Sequence, residues 1–171
     1  LAAFVLDSLT NRRVAVRPIA AGAREQFGSM EWTWLHPPAD AAFARDNDSS
    51  MVVRIEAGNR TVLLCGDIQQ EAFETMARSG APVKADVLEL PHHGSFNEEA
   101  AAFVASIDPQ IVVQSTGWAR WQRDRWADEL QNRTRLVTAR DGACSVWIDS
   151  SGALQTSTFV QSHTVSDPKG D

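Results

Sequence analysis

No apolar run in this chain of 171 residues approaches the roughly 20 residues needed to cross a bilayer. The longest, such as 61–65, have the length of strands, so the expectation is a soluble segment. The chain also lacks an initiator Met, and the opening Leu1-Ala2-Ala3-Phe4-Val5-Leu6 has no basic n-region. That argues against a signal peptide and leads to the expectation of a piece of a longer protein. Cysteine is scarce: Cys65 and Cys144 each sit in an apolar run, where a buried reduced thiol is expected and no redox compartment follows. No internal repeat is visible. A net charge of −6 argues against a globally basic nucleic-acid binder, but the charge is uneven. Arg120, Arg123, Arg125, Arg133, Arg135 and Arg140 crowd one stretch, opposed there only by Asp124, Asp128 and Glu129, so a positive local field is expected.

What is present is an ordinary apolar fraction, 43%, in a length that suits one domain or a large piece of one. Runs rich in Val, Ile, Leu and Trp predict strands at 13–17, 31–35, 51–57, 61–65, 85–90, 111–114, 135–138, 144–148 and 153–158. The Gly58-Asn59 pair predicts an antiparallel hairpin. Two helices are expected. One, at 70–78, aligns Phe73, Met76 and Ala77 and stops at Gly80; the other, at 97–107, has Asn97 as N-cap and Phe103, Val104 and Ile107 as its apolar stripe. A third, shorter helix is expected at about 123–131. Strands and helices alternating from Gly66 to Gln114 are the signature of an α/β layer. The domain is expected over residues 1–159, with 160–171 a polar, disordered tail.

Two of these strands end in side chains that can carry chemistry. One stops at Gly66-Asp67 and the other at Pro91-His92-His93-Gly94-Ser95. In an α/β sheet, ligands bind outside the carboxyl ends of the strands, so Asp67 and the histidines face one another if their strands are neighbours. Imidazole nitrogen and carboxylate oxygen suit zinc or manganese. Each residue alone also has a structural explanation: Asp67 as cap of the helix beginning near Gln69, the His pair as surface structure.

Taken together, Asn47-Asp48-Ser49-Ser50-Met51-Val52, Cys65-Gly66-Asp67 and the run from Ala85-Asp86 through His92-His93-Gly94-Ser95 resemble the metallo-β-lactamase-like domain of ComEC-type DNA-internalisation proteins. Upstream, Glu31-Trp32-Thr33-Trp34-Leu35-His36-Pro37 is similar to the segment preceding the Asn-Asp-Ser motif, and downstream Thr138 to Gly142 is similar to a closing Thr-x-x-x-Gly turn. The resemblance covers Glu31 to Phe159. It implies the C-terminal portion of a four-layer αβ/βα sandwich with two divalent metal ions, zinc or manganese, at the edge of its sheets. By the resemblance Asp67 is the bridging carboxylate, one of His92 and His93 is the last histidine ligand, with His93 favoured, and His92 binds or polarises substrate. His36 is a further candidate ligand.

Two departures qualify the match. The His-x-His-x-Asp-His signature is absent, since the only histidines are His36, His92, His93 and His163, so the metals are expected to be incompletely liganded by this chain alone. The family's Asn-x-x-x-His-Pro stretch is replaced by Trp118-Ala119-Arg120-Trp121-Gln122-Arg123-Asp124-Arg125-Trp126. Arginines there suit phosphates and indoles suit unpaired bases, which makes Arg120, Arg123, Arg125 and Trp121 candidate nucleic-acid contacts. The alternative is tryptophans packed under a loop and arginines paired with Asp124 and Asp128.

The function the resemblance implies is metal-dependent phosphodiester hydrolysis, with Asp67 and His92 in the chemistry and DNA as substrate. Implied partners are the upstream half of the same domain and the channel segments of a parent protein in the bacterial cell membrane. Two other readings stay open: a superfamily member hydrolysing a small phosphodiester or other ester, and a degenerate, non-catalytic domain that guides DNA.

Overall fold

The computed structural model describes residues 2–160. The segment expected to be a disordered tail therefore lies, from 161 onward, outside the described residues. The chain forms a mixed seven-stranded sheet in sequential order: β1 (Arg24–Phe27), β2 (Met30–His36), β3 (Val52–Ala57), β4 (Arg60–Leu64), β5 (Val87–Glu89), β6 (Ile111–Gln114) and β7 (Thr134–Val137). The first four pair antiparallel and β4 to β7 pair parallel. The change of sense follows from the connections. Gly28-Ser29 and Gly58-Asn59 are too short for anything but hairpins, whereas the crossovers after β4 and β5 contain helices α2 (Gln70–Ser79) and α3 (Glu98–Ile107).

Strand periodicity sorts the core into two faces. Val52, Leu63, Leu88 and Val112 pack against Ala72, Phe73 and Met76 of α2 and Phe103, Val104 and Ile107 of α3. Phe73 and Phe103 stack with centroids 4.5 Å apart, joining the helices. Residues one step along, Val53, Ile55, Val87, Ile111 and Leu136, form clusters on the opposite face. There the hairpin of β8 (Cys144–Ile148) and β9 (Leu154–Thr158) contributes Cys144, Val146 and Leu154. Strands β4 to β6 read as nearly continuous apolar runs because both faces are in use. Each leucine fully withdrawn from water, such as Leu63 or Leu88, contributes about 1.5–3 kcal/mol.

Several boundaries differ from expectation for identifiable reasons. Residues 13–17 are not a strand; the chain instead begins with α1 (Ala2–Asn11), and the missed strand is β1, whose partner is supplied by the hairpin with β2. On α2 it is Ala72, not Ala77, that joins Phe73 and Met76 in the core, because the helix meets α3 and the sheet along that side. No helix forms at 123–131; one helical turn, α4 (Trp118–Trp121), lies just before it. Trp126 and Leu130 are pulled into the core from irregular backbone, so their spacing reports burial and not helix periodicity. Helix ends follow the expected signals: Gly80 closes α2 at φ 65°, and Asn97 accepts from the Ala100 amide at 2.7 Å.

Both cysteines are free. Cys65 is wholly buried, and burial followed by the charge of Glu89 drives its thiol far above the ordinary range, whereas Cys144 is partly exposed, its thiol also raised by burial and then by Asp141 but still open to reagent. Because only thiolate reacts, a thiol reagent at about pH 8 is expected to label Cys144 in the native protein and Cys65 only after denaturation. Equal labelling rates would show that the end of β4 opens locally.

Candidate metal and substrate site

The parallel pairing of β4 with β5, Val62 opposite Val87 and Leu63 opposite Leu88, sets two loops side by side at the strand C-termini. The loops are joined directly, as the His92 amide donates to the Gly66 carbonyl at 2.9 Å. Asp67 and His93 follow immediately, and His93 Nε2 lies 3.4 Å from Asp67 Oδ1 with both side chains near half exposure. The structure thus brings Asp67 and the histidine pair together.

The protonation of His93 is constrained by its other nitrogen. Nδ1 sits 2.9 Å from the Ser115 carbonyl, which can only accept, so Nδ1 carries the proton. In the neutral imidazole Nε2 is then a bare lone pair facing a carboxylate oxygen. Two acceptors in that arrangement repel unless a cation or a proton lies between them. A backbone carbonyl holding Nδ1–H while Nε2 faces outward is also how metal-binding histidines are oriented. Among the described residues, however, no group of three or more His, Cys, Asp or Glu side chains converges to hold a metal. The donor chemistry of a carboxylate and an imidazole would suit a divalent ion, but the two side chains alone do not make up a metal site.

Asp67 does not cap α2. That task falls to Asp48, from a different loop, whose buried Oδ1 accepts from the amides of Gln69 at 2.7 Å and Ala72 at 3.2 Å. His36 is fully buried at the end of β2 and donates from Nε2 to the Asp48 carbonyl at 2.7 Å, with the Phe43 ring 5.0 Å away. The structure therefore places His36 under the Asn47-Asp48 turn and not beside Asp67 and His93; its Nδ1 is buried without a partner. Asn47 in turn sets its Nδ2 3.4 Å from Nε2 of His92. With that amide donating, the ring proton of His92 resides on Nδ1. Burial first, and then the neighbouring Arg120 guanidinium, lower the pKa of His92 below its ordinary value.

His92 and His93 both adopt left-handed backbone, at φ 49° and 57°, a conformation costing about 1–2 kcal/mol for a side chain of this kind. The strain is held by a clamp that motif reading did not foresee. Three consecutive carbonyls, of His92, His93 and Gly94, each receive a side-chain donor from the segment between Gln114 and Trp126. Arg120 Nη1 reaches the His92 carbonyl at 2.6 Å, Gln114 Nε2 the His93 carbonyl at 3.3 Å and Trp126 Nε1 the Gly94 carbonyl at 2.9 Å. Gln114 is itself fixed by Arg135, which is paired with Asp124 where both side chains are only 10% exposed. The sequence signal for this clamp was a polar Gln at the end of an apolar strand and a Trp among charges, neither of which names its partner.

The remaining candidates separate. Arg123 and Arg125 are exposed, and Arg125 lies over the Phe96 ring at 4.6 Å. Trp121 has the guanidiniums of Arg135 and Arg140 over its ring, 5.2 and 5.5 Å from the centroid. Asp124 pairs with Arg135 and not with the arginines beside it in sequence.

Fold and site define a mixed α/β domain with a carboxylate–imidazole pair at the ends of adjacent parallel strands. The chain is 30% identical over 136 residues, 79% of its length, to competence protein ComA of Neisseria gonorrhoeae. It is 29% identical over 113 residues to ComE operon protein 3 of Bacillus subtilis, and 30% identical over 99 residues to recombination protein 2 of Haemophilus influenzae. Its homologues are the ComEC-type competence proteins. The chain spans only 19%, 14% and 12% of those three relatives. No protein-family model matches it. A metallo-β-lactamase superfamily protein from Thermotoga maritima aligns with a TM-score of 0.39 and 12% identity, over 72% of each chain. No helix among the described residues is long and apolar enough to cross a membrane.

Proposed function

We propose that this chain is the second half of a metallo-β-lactamase-like domain that hydrolyses phosphodiester bonds of DNA within a membrane-embedded competence protein. The observation that carries the reading is His93 Nε2 set 3.4 Å from the Asp67 carboxylate, with Nδ1 held by the Ser115 carbonyl, at the C-terminal ends of parallel strands. Asp67 and His93 are two ligands of a divalent-metal centre, zinc or manganese, whose other ligands come from polypeptide outside these residues. The bound metal, when present, supplies Lewis acidity and a water acidified enough to ionise near neutral pH.

The roles of the chain's own side chains follow from their placement. Ser115 fixes the His93 ring through its carbonyl, so Nε2 stays aimed at Asp67. His92, whose pKa burial and then Arg120 lower, has an N–H to donate to a non-bridging phosphate oxygen as charge builds there. Asn47 holds the tautomer that leaves this proton on Nδ1. His36 is a positioning residue for Asn47 and Asp48. Arg120, Arg123 and Arg125 give the approach to the site its positive charge, with Trp121 as structural support for the segment that bears them.

The test is hydrolysis of a labelled oligonucleotide by the full-length parent protein after chelation and after returning zinc or manganese. Turnover is expected to vanish on chelation and return with the metal. Cleavage that persists unchanged in the chelated protein would end this reading.

A further inference from the structure

Beside the histidine loop lies a groove of about 390 Å3, walled by Ser95, Phe96, Arg120, Arg123, Asp124 and Arg125. Three arginines lining one groove are a pronounced local excess in a chain whose net charge is −6. The carboxylate in the wall does not offset them, because Asp124 is already paired with Arg135. Among the described residues, none of Arg120, Arg123 and Arg125 pairs with a carboxylate. Arg120 donates only to neutral oxygens, the His92 carbonyl and Ser95 Oγ at 3.0 Å, so its charge stays uncompensated at the seam between groove and histidine loop.

We infer that this groove is a second phosphate subsite, seating the backbone of a single-stranded polynucleotide beside the bond held at His92 and His93. The inference rests on the phosphodiesterase reading above and deepens it, since a flanking subsite favours a polymer over a small ester. Each backbone phosphate met by an arginine releases condensed counterions, a gain a ligand without flanking phosphates cannot draw on. Recognition here is of the backbone more than of the bases. Of the rings near the groove, Phe96 lies under Arg125 and Trp121 under Arg135 and Arg140, which leaves Trp118, 61% exposed, as the open stacking face.

The measurement is fluorescence anisotropy of a labelled oligothymidylate of about 20 nucleotides, longer than common single-strand site sizes. It is titrated with the full-length parent protein and with its R123Q/R125Q variant across a range of salt, each fold being checked by circular dichroism. The double variant is expected to reduce the magnitude of the negative slope of log K against log salt by about 1.4, at about 0.7 per lost phosphate contact on a single strand. An abasic oligomer is expected to bind the unaltered protein within a few-fold of the oligothymidylate. As control, R24Q/R78Q removes two exposed arginines placed elsewhere. An unchanged slope in R123Q/R125Q, an equal fall in R24Q/R78Q, or preference for duplex over single strand would each overturn the inference. Since binding is read without turnover, failure of the chelation experiment would remove the hydrolase reading while leaving the groove decided by its own slope.

Discussion

Asp67→Ala in the full-length protein is expected to abolish metal-dependent hydrolysis, a loss exceeding the roughly 100-fold that removal of a ligand's outer hydrogen-bond partner brings. The substitution deletes one of the two donors proposed for the metal and leaves His93 Nε2 without its facing oxygen. The effect on folding is expected to be small. Asp67 is 41% exposed, does not cap α2 and has only the His93 ring beside its carboxylate, so the cost falls in the range of about 0.5 kcal/mol found for surface positions. Activity and stability therefore separate, and the comparison is turnover against urea midpoint for the same preparation. Undiminished turnover in the variant, with its fold intact, would rule out a catalytic centre at Asp67.

Gly94→Ala is expected to destabilise the domain by about 2–5 kcal/mol, measured as a shifted urea midpoint at unchanged slope. Two costs combine. Gly94 sits at φ 78°, where an alanine pays the left-handed penalty. A Cβ there also falls on the buried side-chain amide of Gln114, too close for both to remain. Gln114 cannot yield freely, because it bridges the His93 carbonyl and Arg135, and Arg135 anchors Asp124 in the segment that bears Arg120. Displacing it disturbs a nearly buried ion pair, which is the more expensive part. A variant within 1 kcal/mol of the unaltered chain, on the scale of a tolerated volume-conserving swap, would show that the clamp is soft.

The strands of the sheet from 51 to 65 and 111 to 114 were legible because Val, Ile and Leu runs bounded by Gly58-Asn59 or by caps obey local rules. Helices α2 and α3 were legible for the same reason, through Gly80 and Asn97. β1 was not, since Arg24–Phe27 is a mostly exposed edge strand whose extension is imposed by pairing with β2. Nor was the irregular path of 123–131, where Trp126 is drawn inward by a buried hydrogen bond to Gly94 and by packing on Phe96.

For the site, the division is similar. Motif order put Asp67 and His92-His93 at the ends of two strands, which local pattern and resemblance are enough to do. Adjacency of those strands, the tautomer of His93 and the burial of His36 under Asp48 depend on contacts between residues 12 to 25 positions apart, which local periodicity does not specify. The chain's residue pattern by itself determined the two apolar faces of the sheet, the helix ends and the chemical types present at the strand termini. Tertiary structure alone decided which donors meet, because a hydrogen bond or an ion pair is set by the distance between groups in space, and that distance is a property of the packed sheet and not of the order of residues along it.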